Sequence, residues 1–282
     1  MTEFTREGLT YRVHTTESKG AGPALMMLHG FAGSHQSFAH LLPQLEGFSR
    51  VMCPDLAGHG GSLSRAADPT ARYATKKQVL DLRQLLREQV EGPLVVYGYS
   101  MGARLALQLA VSLAEQPETG FSLQHLVLES GTAGLRSASE RRQRREQDRA
   151  LAQRILTDFE GFDQSWDTLP VFESSTEPSP EINKKMRDIR RAQDPVQLAA
   201  SLRAFGTGSM PALHGKLGLI SAPVTLLTGA CDSKFSEIAR ELLPLFGSSQ
   251  KRHLTIPDCG HRVHLENPTL LCRLLSEIAA QK

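Results

Sequence analysis

The chain has 282 residues, long for one domain yet within reach of a single α/β unit carrying an insertion. Its 40% hydrophobic and 22% charged residues make an ordinary globular mix and exclude a disordered chain. A net charge of +2 gives no argument for nucleic acid or a membrane surface, and no apolar run approaches the roughly 20 residues that span a bilayer.

The first residues, MTEFTREGLTYRVH, lack the apolar region of a secretory signal, so export is not expected and the chain is assigned to the cytoplasm. Ala24–Gly30, Arg50–Leu56, Pro93–Ser100, Leu123–Ser130, Ala222–Gly229 and Lys251–Pro257 read as strands. Most are continuous apolar runs, as parallel strands covered on both faces require. Helical stretches, Lys76–Val90 and Met101–Gln116 among them, lie between these runs. The alternation predicts an α/β fold, a mostly parallel central sheet with helices on both faces. The rhythm breaks between about Gly131 and Gly206, where no strand run is found. Residues 131–206 read as a helical cap over the carboxyl edge of the sheet, and 1–130 with 207–282 as the core domain. Cys53, Cys231, Cys259 and Cys272 show no paired spacing and read as buried free thiols, with no metal site.

Gly98-Tyr99-Ser100-Met101-Gly102 follows a β-rich run and precedes a helix former run, the setting of a nucleophile elbow. A serine hydroxyl needs a base to take its proton, and the base needs a carboxylate to fix its tautomer. His261, in a loop after the last strand, is the expected base, with His264 as competitor. Asp232, just beyond a strand end, is the expected acid, with Asp258 as the alternative on the histidine's own loop. The oxyanion site is expected from the N–H groups of Met101 and of Phe31 in LHGFAGS. DLAGHGGS, Asp55–Ser62, reads as a structural turn. From LHGFAGS to GHRVHLENP, over nearly its whole length, the chain resembles the α/β-hydrolase fold superfamily.

Arg104 stands one helical turn past Ser100 and leans back toward it, because helical side chains tilt toward the N-terminus. A guanidinium there suits a carboxylate or phosphate on a substrate, or an acid elsewhere in the protein. Between Arg136 and Arg154 seven arginines face Glu140, Glu146 and Asp148, and KKMRDIRR follows. A basic cap on a near-neutral protein points to an anionic substrate.

GYSMGARLAL, ERRQRREQD, the tryptophan followed by LPVF, RRAQDP, GTGSMPAL, GACDSKFSEIA and GHRVHLENP occur in that order. Together they resemble the 2-succinyl-6-hydroxy-2,4-cyclohexadiene-1-carboxylate synthases, α/β-hydrolase-fold lyases of menaquinone (vitamin K2) biosynthesis. The resemblance implies elimination of pyruvate from 2-succinyl-5-enolpyruvyl-6-hydroxy-3-cyclohexene-1-carboxylate, with Ser100, His261 and Asp232 abstracting a proton. It implies a small polycarboxylate substrate, no metal or organic cofactor, and no nucleic-acid or membrane partner. It further implies substrate contacts from Arg104, Arg144, Arg190, Tyr99, Trp166 and Lys234, with Arg141 or Arg145 as alternatives to Arg144 and Arg191 to Arg190. Ala103, GTGSMP and Asp167 depart from the family's usual residues and bear on pocket shape. A serine hydrolase acting on an ester or C–C bond of an acidic substrate is the competing reading.

Overall fold

The computed structural model describes residues 1–17 and 20–281. Eight strands form one sheet: β1 (Thr2–Arg6), β2 (Leu9–Glu17), β3 (Ala24–Leu28), β4 (Arg50–Pro54), β5 (Gly92–Tyr99), β6 (Phe121–Glu129), β7 (Val224–Gly229) and β8 (Lys251–Ile256). Their order is β1-β2-β4-β3-β5-β6-β7-β8. The six runs are β3 to β8, all parallel to one another. In β5, Leu94 and Val96 join one hydrophobic cluster while Val95 and Tyr97 join the other. Both faces are thus covered, which is why the inner strands read as apolar runs, whereas the edge strand β8 is mostly exposed or half-buried.

The β1–β2 hairpin was not expected from the sequence. It pairs antiparallel to β4, turning at Glu7 and Gly8, both at positive φ (45° and 76°). Leu9, Tyr11 and Val13 are buried and the residues between them are not, the alternation of a strand with one wet face.

Helices α1 (Thr75–Gln89) and α2 (Met101–Glu115) follow β4 and β5. Between β6 and β7 come α3 (Ala138–Thr157), α4 (Phe159–Trp166), α5 (Pro180–Arg191) and α6 (Pro195–Phe205); α7 (Ser233–Leu242), α8 (Val263–Glu266) and α9 (Pro268–Ala279) complete the chain. Each of α3 to α6 starts on a side-chain cap, from Ser137, Asp158, Ser179 and Asp194. α3, α4 and α6 share a separate apolar cluster of Ala152, Ile155, Phe162, Leu198, Ala199 and Leu202 with Ala32. Gln193, beyond α5, donates to Gly33 O and accepts from Gly60 N, so these helices rest on the loops after β3 and β4.

The crossover order decides where the site falls. The chain leaves β3 for β4 on one side and returns to β5 on the other, and Leu28 pairs with Gly98. The loops that leave β3 and β5 therefore lie side by side at a topological switch point, where open α/β sheets bind ligands. All four cysteines are free thiols; Cys53, Cys259 and Cys272 are buried, whereas Cys231, in the loop after β7, is exposed, contrary to expectation. Among the described residues no helix is long and apolar enough to cross a membrane.

Candidate active site

Ser100 sits between β5 and α2 at φ 50° and ψ −105°, a left-handed backbone that L-residues avoid. The flanking glycines allow this turn to pack. A Cβ on Gly102 would lie 1.9 Å from Leu28 O, and one on Gly98 would lie 2.5 Å from Gly102 O.

His261 Nε2 lies 3.1 Å from Ser100 Oγ, and His261 Nδ1 lies 2.7 Å from Asp232 Oδ2. The imidazole is 3% exposed and the carboxylate 6%, so this chain of hydrogen bonds runs out of contact with bulk water. Asp232 is held in turn by accepting from Phe235 N at the start of α7. A carboxylate on Nδ1 leaves Nε2 as the atom that meets the hydroxyl, the arrangement that lets a serine give up its proton. Asp258, the alternative acid, is exposed. His264 has a different partner: Nδ1 hydrogen-bonds buried Glu129 at 2.7 Å, and the ring packs 4.2 Å from that of Tyr99.

Ser100 opens onto a cavity of about 330 Å³. Phe31, Met101, Tyr99, Arg104, Arg144, Trp166, Arg190 and Lys234 all line it. Trp166 packs 5.6 Å from Phe31 and 5.7 Å from Phe172 between ring centroids, which makes an aromatic wall on the cap side. Of the seven arginines between 136 and 154, Arg144 alone reaches the cavity. Arg145 donates to Gly208 O and Arg141 to Leu135 O, away from it. The basic charge between 136 and 154 is therefore mostly a solvated face.

Arg104 is largely enclosed. Its Nη1 donates to Phe205 O at 2.8 Å, and its guanidinium lies 5.0 Å from the Phe205 ring centroid. Among the described residues it forms no ion pair. Burial, with the charge of Arg144, pushes its pKa down to about 10 despite a pull from Asp148. It remains a cation at neutral pH, half-buried and without an ion pair among the described residues.

Arg190, which lines the cavity, also has acids of its own. It is 3% exposed, and Nε donates to Asp163 at 2.5 Å while Nη1 and Nη2 reach Asp167 at 3.2 and 2.8 Å. Arg191 donates to the other oxygen of Asp163. The fork of Arg190 is occupied from within, tying α5 to α4. The sequence reading also missed Arg262, which lines the cavity one residue after His261.

The alpha/beta hydrolase family profile matches residues 25–274, and the chain belongs to that family. Within it, the 2-succinyl-6-hydroxy-2,4-cyclohexadiene-1-carboxylate synthase of Salmonella paratyphi C (strain RKS4594) is 33% identical over 267 residues, 94% of this chain and 96% of that protein. A Bacillus subtilis (strain 168) protein provisionally given the same name is 37% identical over 272 residues, 96% of this chain and 95% of that one. The chain is a member of this synthase family. A solved structure of MenH from S. aureus matches with a TM-score of 0.84 at 27% identity, covering 94% of this chain and 97% of that one.

Proposed function

We propose that this chain is a carbon–oxygen lyase of menaquinone biosynthesis, working in the cytoplasm. It converts 2-succinyl-5-enolpyruvyl-6-hydroxy-3-cyclohexene-1-carboxylate to 2-succinyl-6-hydroxy-2,4-cyclohexadiene-1-carboxylate and pyruvate. The observation that carries this reading is Arg104, a half-buried cation one helical turn from Ser100 with no ion-pair partner among the described residues. A neutral ester gives no use for such a group; a polycarboxylate does.

The two names define the bonds that change. The ring double bond at C3 becomes double bonds at C2 and C4, so a proton leaves C2 and the enolpyruvyl oxygen leaves C5. Asp232 holds His261 with Nε2 toward Ser100 Oγ, and the serine oxygen takes the C2 proton as its own passes to Nε2. The C2–H electron pair forms C2=C3, the C3=C4 pair moves to C4=C5, and the C5–O bond breaks to release the enolate of pyruvate, which takes a proton on carbon. Charge developing at C2 is shared with the adjacent succinyl carbonyl. The N–H groups of Met101 and Phe31, beside Ser100, serve that oxygen. Arg104 and Arg144 hold carboxylate, with Tyr99, Trp166 and Lys234 completing the wall, and so keep C2–H at the serine. Residues 131–206 act as the cap that shuts water from this step.

The test is to supply the enolpyruvyl substrate and measure pyruvate. Wild type releases it, and Ser100→Ala loses about a hundredfold or more, since a general base contributes about 10²–10⁴. A variant keeping more than about a tenth of the rate removes the serine base. Strong turnover of an activated aryl ester, with no pyruvate from the enolpyruvyl compound, establishes the hydrolase reading instead.

A further inference from the structure

Arg262 takes no part in the steps above, yet its position is unusual. It is 8% exposed and lines the same cavity as Ser100. Its guanidinium lies over the Phe172 ring, 4.8 Å from the centroid. The carboxylate oxygens nearest it are Asp167 Oδ1 at 3.6 Å and Glu266 Oε1 at 3.7 Å, both beyond hydrogen-bond contact. Among the described residues Arg262 Nε has no hydrogen-bond partner, and neither has Glu266 Oε1.

Neither acid reaches hydrogen-bond distance of Arg262. Asp167 already accepts from Nη1 and Nη2 of Arg190. Glu266 accepts from Gly260 N, and burial raises its carboxyl pKa, which weakens it as a counter-ion. A buried guanidinium with its Nε–H unmet, and with its ion-pair partners beyond hydrogen-bond distance, gains from an anion that comes closer. Stacking on Phe172 fixes the plane of the fork and leaves its N–H edge for that anion.

Arg104 and Arg262 occupy separate parts of the wall. Arg104 lies against Phe205 and Met210, and Arg262 against Phe172 beside His261. One planar fork grips one carboxylate, so two separated forks suit an anion with carboxylates at two ends. We propose that Arg262 binds a second substrate carboxylate, distinct from the one held by Arg104. The identity of that substrate rests on the lyase reading; the capture of a carboxylate does not.

Two measurements test this. In the first, succinate and pyruvate, standing for the succinyl arm and the leaving fragment, are titrated against the melting temperature. One of them is expected to raise it in wild type, with Arg262→Gln requiring about tenfold more anion for the same rise. The anion that responds tells which carboxylate Arg262 takes. In the second, Arg262→Gln raises KM for the enolpyruvyl substrate about 10- to 100-fold, kcat changes less than about threefold, and Arg262→Lys recovers part of the loss. Wild type that releases no pyruvate but loses succinate stabilisation on Arg262→Gln removes the lyase reading and keeps the anion site. The proposal is overturned if neither anion stabilises wild type, or if Arg262→Gln leaves KM unchanged. It is also overturned if the variant lowers the ligand-free melting temperature and cuts kcat with KM unmoved, the mark of a brace between Asp167 and Glu266.

Discussion

Arg104 and Arg190 carry the same charge, line the same cavity and were both expected to hold substrate, yet the protein treats them oppositely. Arg190 lies between two carboxylates, Asp163 and Asp167, and spends its fork on them. Arg104 receives a carbonyl, a thioether and an aromatic face, and no acid among the described residues. A buried charge left without a counter-ion is costly, and folding alone gives no reason to keep it. The difference teaches how to tell a brace from a ligand clamp: by what the protein leaves undone around the group, not by the residue type.

The largest effect should come from breaking the brace. Arg190→Ala leaves Asp163, 4% exposed, with only Arg191, and removes both bonds to Asp167. Losing one partner of a buried pair costs about 3–5 kcal/mol. At about 2–4 °C per kcal/mol for a chain of this size, the melting temperature should fall by roughly 6–20 °C. A variant that melts like wild type and shows only a raised KM makes Arg190 a clamp and erases the contrast.

Arg104 should behave the other way. Arg104→Ala leaves a substrate carboxylate desolvated without its partner, at about 2–5 kcal/mol, or roughly 30- to several thousand-fold in kcat/KM for the enolpyruvyl substrate. Arg104→Met keeps most of the volume and removes the unpaired charge, so its melting temperature should equal or exceed that of wild type. A kcat/KM within about threefold of wild type, or a melting temperature lowered as far as in Arg190→Ala, makes Arg104 structural.

The sequence was most informative where one physical demand acts on many neighbouring residues. Strands β3 to β7 are buried on both faces over most of their length, and each is visible as a run; α2 begins at the glycines that permit the turn at Ser100. The β1–β2 hairpin has one wet face, and its alternation of Leu9, Tyr11 and Val13 is a weaker pattern that was passed over. Single side chains fared according to their partners' distance along the chain. Arg104 could be placed near Ser100 by helical geometry alone. The brace on Arg190 is invisible, because its acids lie 27 and 23 residues away on another helix and its end. Arg262 belongs to no periodic pattern, and only its place in the cavity wall and its unmet Nε–H mark it. The basic stretch from Arg136 to Arg154 misled by number, since composition counts charges without saying which way they face.

The smallest expected effect separates the two arginines through pH. Burial alone would raise the carboxyl pKa of Asp163, but hydrogen bonds from Arg191 and Arg190 outweigh it and hold it below the ordinary 3.8. Between the folded and unfolded values the unfolded chain binds more protons than the folded one, so stability rises with pH across that interval. The contribution is complete above the unfolded value and is lost as the pH falls through the folded one. Arg190→Ala removes part of the cause, so the folded value moves back toward the unfolded one. The gap in melting temperature between wild type and Arg190→Ala should therefore narrow as the pH is taken from about 5 to about 3. Arg104 has no carboxylate within ion-pair distance among the described residues, and Asp148 acts on it only from further off. The difference between wild type and Arg104→Met should stay level over the same interval. Melting curves of the three proteins at several pH values give both slopes. Parallel curves for wild type and Arg190→Ala show that Asp163 takes its depression from Arg191 alone, and a gap for Arg104→Met that closes with acid gives Arg104 an internal acid after all.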